Sequence, residues 1–234
     1  MNKTKILVTG GDGRFAKILK KENKKLNLIF LKKSQCNILS LKSIIKNIKK
    51  FKPKILFHCA GLSRPMRVHY DEIEKTIDLN IIGTANVTKA CMMYNIKMIY
   101  FSTPYVYPGE KSNYNEEDSV KPINNYAISK LGGECAVRLY KNSLILRLAM
   151  TEKPFEYDEA YANVYANHMF HEEVVKILPK IIKSTGILNV GGKSQSVYAF
   201  AKKTKPKIKK IFAKKNKSFP FMQTMSTKKL KKLI

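Results

Sequence analysis

Short apolar runs alternate with stretches of helical periodicity from the start of this chain to Leu148, and that alternation leaves few folds open. Residues 5–9 (Lys-Ile-Leu-Val-Thr) read as a first strand, and a helix follows over about 13–22. A second strand is expected at 28–31. Ser40 is placed to cap a helix running to about residue 50, with Leu41, Ile44, Ile45 and Ile48 on one stripe. Pro53 ends that segment, and a third strand follows at 55–57. Residues 71–94 read as one long helix, 98–101 as a fourth strand, 105–122 as a loop, 124–140 as a helix and 144–148 as a further strand. Such a β-α-β series predicts an α/β protein whose parallel sheet is doubly wound, with helices on both faces. Beyond Leu148 the pattern thins. Residues 151–167 read as loop, 172–182 and 197–203 as helices, 187–190 as a strand and 227–234 as a short terminal helix. The 234 residues suffice for one large domain, or one with a small appendage. The expected division is a nucleotide-binding part over 1–148 and a smaller, partly interleaved region over 149–234.

The chemistry begins where the first strand ends. Thr9-Gly10-Gly11-Asp12-Gly13-Arg14-Phe15-Ala16 leaves that strand and opens the first helix. Gly10 and Gly13 permit a tight turn and close approach of phosphate to backbone. The helix start, with Arg14 and Phe15, presents free N–H groups to a pyrophosphate, and the small Ala16 allows close helix–strand packing. At strand one of an alternating pattern this turn predicts a Rossmann-type dinucleotide site. Enzymes that use NAD tend to place an acid at the end of the second strand. Here that strand runs into Lys32-Lys33-Ser34, so NADP is expected, with NAD the alternative.

A second constellation lies in the run Tyr126-Ala127-Ile128-Ser129-Lys130. On a helix, positions four apart share a face, so a phenol stands beside an ammonium. A neighbouring positive charge stabilises phenolate, which would let Tyr126 exchange protons with a sugar hydroxyl or carbonyl near neutral pH. Ser102 and Thr103 end the predicted fourth strand nearby in the sequence.

Other features are plainer. The net charge of +28 arises from 45 basic and 17 acidic residues, and no carboxylate follows Glu173. Only five of the basic residues are arginine, and nucleic-acid readers favour arginine and interleaved aromatics. The lysines therefore read as a compositional background, the stretch 202–217 included, and nucleic acid is not the expected partner. A basic surface would still steer a phosphate-bearing substrate. No apolar run approaches a membrane span, and residues 1–10 read as a first strand rather than a signal peptide. Cys36, Cys59, Cys91 and Cys135 are widely spaced, which fits a reduced, cytoplasmic protein. His168 and His171 lack a third distant ligand, so no metal centre is expected; Glu172 and Glu173 suit the start of a helix.

Together these pieces resemble the extended short-chain dehydrogenase/reductase proteins that act on nucleotide sugars, most of all the dTDP-4-dehydrorhamnose reductases. The matching residues are the Gly10/Gly13/Ala16 turn, His58-Cys59-Ala60-Gly61, Asp78-Leu79-Asn80-Ile81-Ile82-Gly83-Thr84, Phe101-Ser102-Thr103-Pro104-Tyr105-Val106-Tyr107 and 122–134 around Tyr126 and Lys130. Leu146-Arg147, Asn189-Val190-Gly191-Gly192 and 226–230 are also similar, so the likeness is dense over 3–150 and patchy beyond. The resemblance implies an NADP(H)-dependent reductase of a 4-keto-6-deoxy sugar nucleotide, used in surface polysaccharide synthesis. It makes Tyr126 the general acid, and Lys130 the residue that binds the nicotinamide ribose and lowers the tyrosine pKa. Thr103 would hydrogen-bond the reacting oxygen, with Ser102 beside it. Cys59, Ala60 and Gly61 would line the cofactor, Asn37-Ile38 would meet the adenine, and Asn80 would belong to a supporting helix. A homodimer through two long helices is also implied.

Three departures from that family stand out. Pro104 replaces the usual Asp after Thr; it keeps Thr103 extended but removes a carboxylate. The portion after Arg147 is short, which implies a small, shortened C-terminal substrate-binding lobe. The loop 62–67 is unusually basic, so that Arg64 or Arg67 is placed to grip a diphosphate. The rival readings are a nucleotide-sugar 4-epimerase and a non-catalytic dinucleotide-binding subunit.

Overall fold

The structure is a computed structural model that describes residues 4–214 and 220–234; residues 1–3 and the 215–217 end of the lysine-rich stretch lie outside the described residues. Strands β1 (Lys5–Thr9), β2 (Asn27–Leu31), β3 (Ile55–His58), β4 (Lys97–Ser102) and β5 (Ser143–Leu148) join an edge strand, Gly186–Val190, in one six-stranded sheet. From one edge to the other the order is β2, β1, β3, β4, β5 and Gly186–Val190, and every pair is parallel. The order reverses between β1 and β3, so a crevice opens at the carboxyl ends of those two strands.

Strand alternation assigns the two faces. Ile6 and Val8 of β1 join Phe57, Ile99 and Leu146 in a core with Phe15 and Leu19 of helix α1 (Arg14–Glu22). Leu7, Leu56, Met98 and Ile145 point the other way, onto Ile44 and Ile48 of α2 (Leu41–Phe51) and Val137 farther along the chain. The cap expected at Ser40 is present: its hydroxyl accepts the Ser43 N–H at 3.2 Å. Residues 68–93 depart from the single helix expected over 71–94. A short α3 (Val68–Asp71) is broken from α4 (Ile73–Ile77) at Glu72, and a π-helical turn, Asp78–Ile82, precedes α5 (Gly83–Met93). The π turn carries the buried Asn80, whose side chain bonds to two neighbouring segments; an inserted residue of this kind re-aims a side chain at some cost in helix regularity. Helix α6 (Asn125–Arg138) completes this layer.

The C-terminal third supplies helix α7 (His171–Ile181), which packs beside α1, and the edge strand Gly186–Val190. Residues 151–167 are more ordered than the loop expected there. Met150–Thr151 pairs with Met169–Phe170, Glu159–Tyr161 with Lys209–Ile211, and Tyr165–Ala166 with both Gln195–Ser196 and Met222–Gln223. Strands of two or three residues carry too little alternation to be read from sequence. Helices α8 (Val197–Lys202) and α9 (Lys228–Lys231) fall near their expected places. Among the described residues no helix is long and apolar enough to cross a membrane, and all four cysteines are free.

Candidate active site

Three segments meet at the carboxyl edge of the sheet. The first is the glycine turn. Gly10 has φ +69°, and a Cβ there would stand 2.7 Å from the Ala60 backbone, so this residue lets the turn lie against the end of β3. The Gly13 N–H closes the turn onto the Gly10 carbonyl at 2.9 Å. Helix α1 then begins with no side-chain cap and no acidic residue in its first turn, which leaves its amide donors for an anion. This cradle fits the diphosphate of a dinucleotide. Phe15 and Ala16 are buried beneath it, Phe15 tilted against Phe101 and edge-on to His171.

The second segment follows β3. Thr9 Oγ1 lies 2.9 Å from His58 Nδ1, while His58 Nε2 meets Thr84 Oγ1 at 3.1 Å. Burial, with Lys130 nearby, takes the imidazole down to about 3, so His58 is a neutral strut between β1 and α5. Burial likewise pushes the Cys59 thiol up to about 12, against a smaller opposing effect of Lys130. Cys59 and Ala60 are half-buried and Gly61 is exposed at the crevice. Asn80 ties this loop down: its Oδ1 accepts the Leu62 N–H at 2.7 Å, and its Nδ2 donates to Leu62 O and to Ser129 Oγ, both at 2.9 Å. Asn80 therefore joins the loop after β3 to α6.

The third segment is the end of β4 with α6. Thr103 is extended (φ −143°, ψ 151°), as Pro104 requires, and is buried with Ser102. Asn124 caps α6 by accepting the Ala127 N–H at 2.9 Å, which fixes the register of Tyr126 and Lys130. The Thr103 side chain is near enough to the Tyr126 phenol to favour its ionised form. Tyr105 and His69 flank that phenol, with ring centroids 6.1 and 5.1 Å away.

The electrostatics differ from the sequence expectation. Burial, with Tyr105 beside it, pushes the Tyr126 phenol up to about 12; the nearby Thr103 hydroxyl and the charges of Arg64 and Arg14 oppose this without overcoming it. Lys130 does not depress it. The Lys130 ammonium sits 4.1 Å over the Tyr100 ring, and its own burial takes it down to about 7, against the pull of Glu134. Desolvation of both groups outweighs their proximity.

The basic residues divide. Arg14 and Arg64 converge at the mouth, although one was expected on the cofactor and the other on a sugar nucleotide. Arg14 reaches Ser63 Oγ at 3.2 Å and Glu152 at 3.3 Å; Arg64 meets Glu152 at 3.3 Å, contacts Glu156 and stacks on Tyr157. Burial raises the Glu152 carboxyl, but a backbone hydrogen bond and the charges of Arg64, His171 and Arg14 hold it below its usual range. Arg67 is turned to solvent and pairs with Asp71 at 2.7 Å, so it is not brought to this cluster. Lys32 is exposed, 3.7 Å from Asp12 of the glycine turn, so an acid does stand near the end of β2, supplied by another segment. Asn37 is exposed, its Oδ1 accepting the Leu39 N–H, while Ile38 is buried against Gly83. Among the described residues no group of three or more His, Cys, Asp or Glu is placed to hold a metal ion. His171 opens α7, where Glu173 accepts the Phe170 N–H at 2.7 Å.

Sequence reasoning missed Glu134, although it continues the four-residue spacing of Tyr126 and Lys130. It also missed Tyr105 and His69, which no spacing connects to Tyr126, and Glu152 and Glu156, which reach the site only because the segment after β5 folds back.

Comparison with known proteins agrees with this geometry. The chain is 31% identical over 142 residues to methionine adenosyltransferase 2 subunit beta of Pongo abelii, covering 57% of this chain and 42% of that one. It is 28% identical over 152 residues to dTDP-4-dehydrorhamnose reductase of Aggregatibacter actinomycetemcomitans, covering 63% and 51%. The chain thus spans about half the length, or less, of these curated relatives. The crystal structure of dTDP-4-dehydrorhamnose reductase from Bacillus anthracis in complex with NADP superposes with a TM-score of 0.87 at 21% identity, covering 99% of this chain and 92% of that one, and so shares the Rossmann-type fold. A sequence model of the RmlD substrate binding domain matches residues 4–178, and this chain belongs to that family.

Proposed function

We propose that this protein is an NADP(H)-dependent reductase of a 4-keto-6-deoxy sugar nucleotide, serving nucleotide-sugar biosynthesis. The observation that carries this reading is the convergence of Thr103, Tyr126 and Lys130 on the crevice that the Gly10–Gly13 turn opens. The turn and the start of α1 would hold the diphosphate, with Arg14 beside it. Cys59, Ala60 and Gly61 would flank the nicotinamide half, Ser102 and Lys130 its ribose, and Asn37 and Ile38 the adenine. Lys32 would meet a 2′-phosphate; its pairing with Asp12 keeps NAD as the alternative. Arg64 would take the substrate diphosphate, and Arg67 falls out of that role because it faces solvent. The substrate lobe would be built from 149–234 over a nucleotide-binding part of 1–148.

When bound, NADPH supplies the hydride. Tyr126, held protonated, gives its phenolic proton to the carbonyl oxygen as that oxygen gains charge, and an alkoxide is a strong enough base to take it. Thr103 directs its hydroxyl at the same oxygen. This protonation state favours reduction over an epimerase cycle, which needs Tyr126 to begin as a base. Support for the family reading comes from the reductase of Aggregatibacter actinomycetemcomitans. A second reading, a dinucleotide-binding subunit of a larger enzyme, is favoured by the relative whose name makes it a subunit. NADPH oxidation with a panel of dTDP- and UDP-linked 4-keto-6-deoxy sugars separates the two. Turnover supports the reductase, whereas tight NADPH binding with no turnover on any of them supports the subunit.

A homodimer and a cytoplasmic location complete the proposal. Ile73, Ile77 and Ile82 are exposed along the segment next to α6, which itself exposes Ile128, and a second copy would cover them. Sedimentation that returns a monomer at micromolar concentration rejects that part.

A further inference from the structure

Tyr126, Lys130 and Glu134 follow one another at intervals of four along α6, and the third member is the most deeply buried charge of the set. Glu134 has no exposed surface, and Arg147 of β5 is 1% exposed. Arg147 Nη2 donates to Glu134 Oε2 at 2.8 Å, and its Nε reaches both carboxylate oxygens at 3.2 and 3.3 Å. Ser102 Oγ donates to Glu134 Oε1 at 2.5 Å, so the residue preceding Thr103 is bonded to the same carboxylate. Arg147 Nη1 in turn donates to Tyr107 Oη at 2.9 Å. Every donor around Glu134 is thus itself anchored on β4, β5 or the segment after β4.

One helical turn away stands Lys130. Its ammonium makes no hydrogen bond or ion pair among the described residues, and it lies over the Tyr100 ring. Tyr100 Oη donates to the Lys130 carbonyl at 3.3 Å, and a Cβ on Gly133 would strike Tyr100 Oη at 2.5 Å, so helix and strand are pressed together here. The ionisable groups that face Lys130 are Tyr126 and Glu134 on its own helix, Tyr100 on β4, and His58 and Cys59 at the end of β3. His58 is neutral, and the Cys59 thiol and Tyr100 phenol keep their protons. Glu134 is the one carboxylate among them. A buried ammonium needs a nearby anion to stay charged.

We infer that Glu134, fixed by Arg147 and Ser102, is the positioning residue that favours the ammonium form of Lys130 against its burial, one helical turn from Tyr126. The functional weight of this rests on the proposed acid/base role of Tyr126 and Lys130; the charge relation itself does not. The carboxylate touches neither substrate nor cofactor. It acts through Lys130, and through Ser102 it holds the end of β4 that carries Thr103.

The test is a pH titration of the full-length protein with 13Cε-labelled lysine, the Lys130 resonance being identified by its loss in Lys130→Met. Removing the anion makes the buried ammonium harder to keep. The Lys130 midpoint should therefore fall by about one pH unit or more in Glu134→Gln and return toward the wild-type value in Glu134→Asp. Because Glu134→Gln strands Arg147, the pair variant Glu134→Gln/Arg147→Met serves if the single variant does not fold, and its midpoint should also fall. A midpoint that stays at the wild-type value in the folded variants overturns the inference and leaves Glu134 a purely structural partner of Arg147. NADPH affinity across the same pH range should lose its upper limb earlier in Glu134→Gln than in wild type. Wild-type protein that binds no NADPH at any pH counts against the proposed function, and the lysine midpoints still decide the inference.

Discussion

Two clusters of opposite charge bracket Tyr126, and they are built in contrasting ways. The inner one, Glu134 with Arg147, is closed off from solvent, bidentate and completed by Ser102 and Tyr107. The outer one joins Arg14 and Arg64 to Glu152 and Glu156 across the mouth, with side chains 26–44% exposed. Water screens the outer charges, so those arginines can exchange carboxylate for phosphate at little cost. The inner pair has no such exchange. Removing either member leaves a charge in a place where water cannot reach it. One cluster therefore belongs to the architecture and the other suits the proposed binding, although the same residue types form both.

The largest expected effect falls on the inner cluster. Arg147→Met should destabilise the fold by about 3–5 kcal/mol in urea unfolding. The pair variant Glu134→Gln/Arg147→Met should recover most of that, because it leaves no unpaired charge. Loss of stability in the pair variant equal to that of the single variant would mean that shape, rather than charge, holds this site.

Next in size is a pH effect. Lys130 has a folded-state value of about 7, below the unfolded lysine value of about 10.4. Between these the unfolded chain binds more protons, so this residue makes stability rise with pH. The difference in unfolding free energy between wild type and Lys130→Met should move by about 2–3 kcal/mol in favour of wild type from pH 7 to pH 9. Parallel curves would show that Lys130 keeps its proton in the folded protein. Cys36, Cys59 and Cys91 are held protonated by burial and oppose the rise at the alkaline end. Cys36 and Cys91 feel burial alone, are common to both proteins and cancel; Cys59, which Lys130 also lowers, titrates above this pH window.

The outer cluster should respond in the opposite manner. Replacing both Arg14 and Arg64 with Gln should weaken NADPH or nucleotide binding about tenfold or more, read by fluorescence titration. The same change should shift stability by less than about 0.5 kcal/mol. A stability loss as large as that of Arg147→Met would erase the distinction between the two clusters.

The contrast also explains what could be read from the sequence. The six-stranded sheet and its helices follow from apolar periodicity, which each segment carries by itself. Gly10, Tyr126 and Lys130 were legible because the turn and the helix that place them are local. The Glu134–Arg147 pair joins a helix to a strand and needed the packed structure, even though Glu134 lies one turn beyond Lys130. Glu152 and Glu156 sit in a segment whose strands have two or three residues, too short to show a period. The expected effect of Lys130 on Tyr126 was the clearest misreading. Spacing shows proximity, whereas the state of each group depends on burial, and burial is a property of the whole fold.

The most direct test of the central claim compares wild type with Tyr126→Phe for NADPH oxidation in the presence of dTDP-4-keto-6-deoxy sugars, with NADPH affinity measured alongside. Turnover by wild type that falls by a factor of about 10²–10⁴ in the variant, at unchanged NADPH affinity, is the predicted result. Equal turnover by the two proteins would contradict the assignment of Tyr126 as the proton donor, and with it this account of the site.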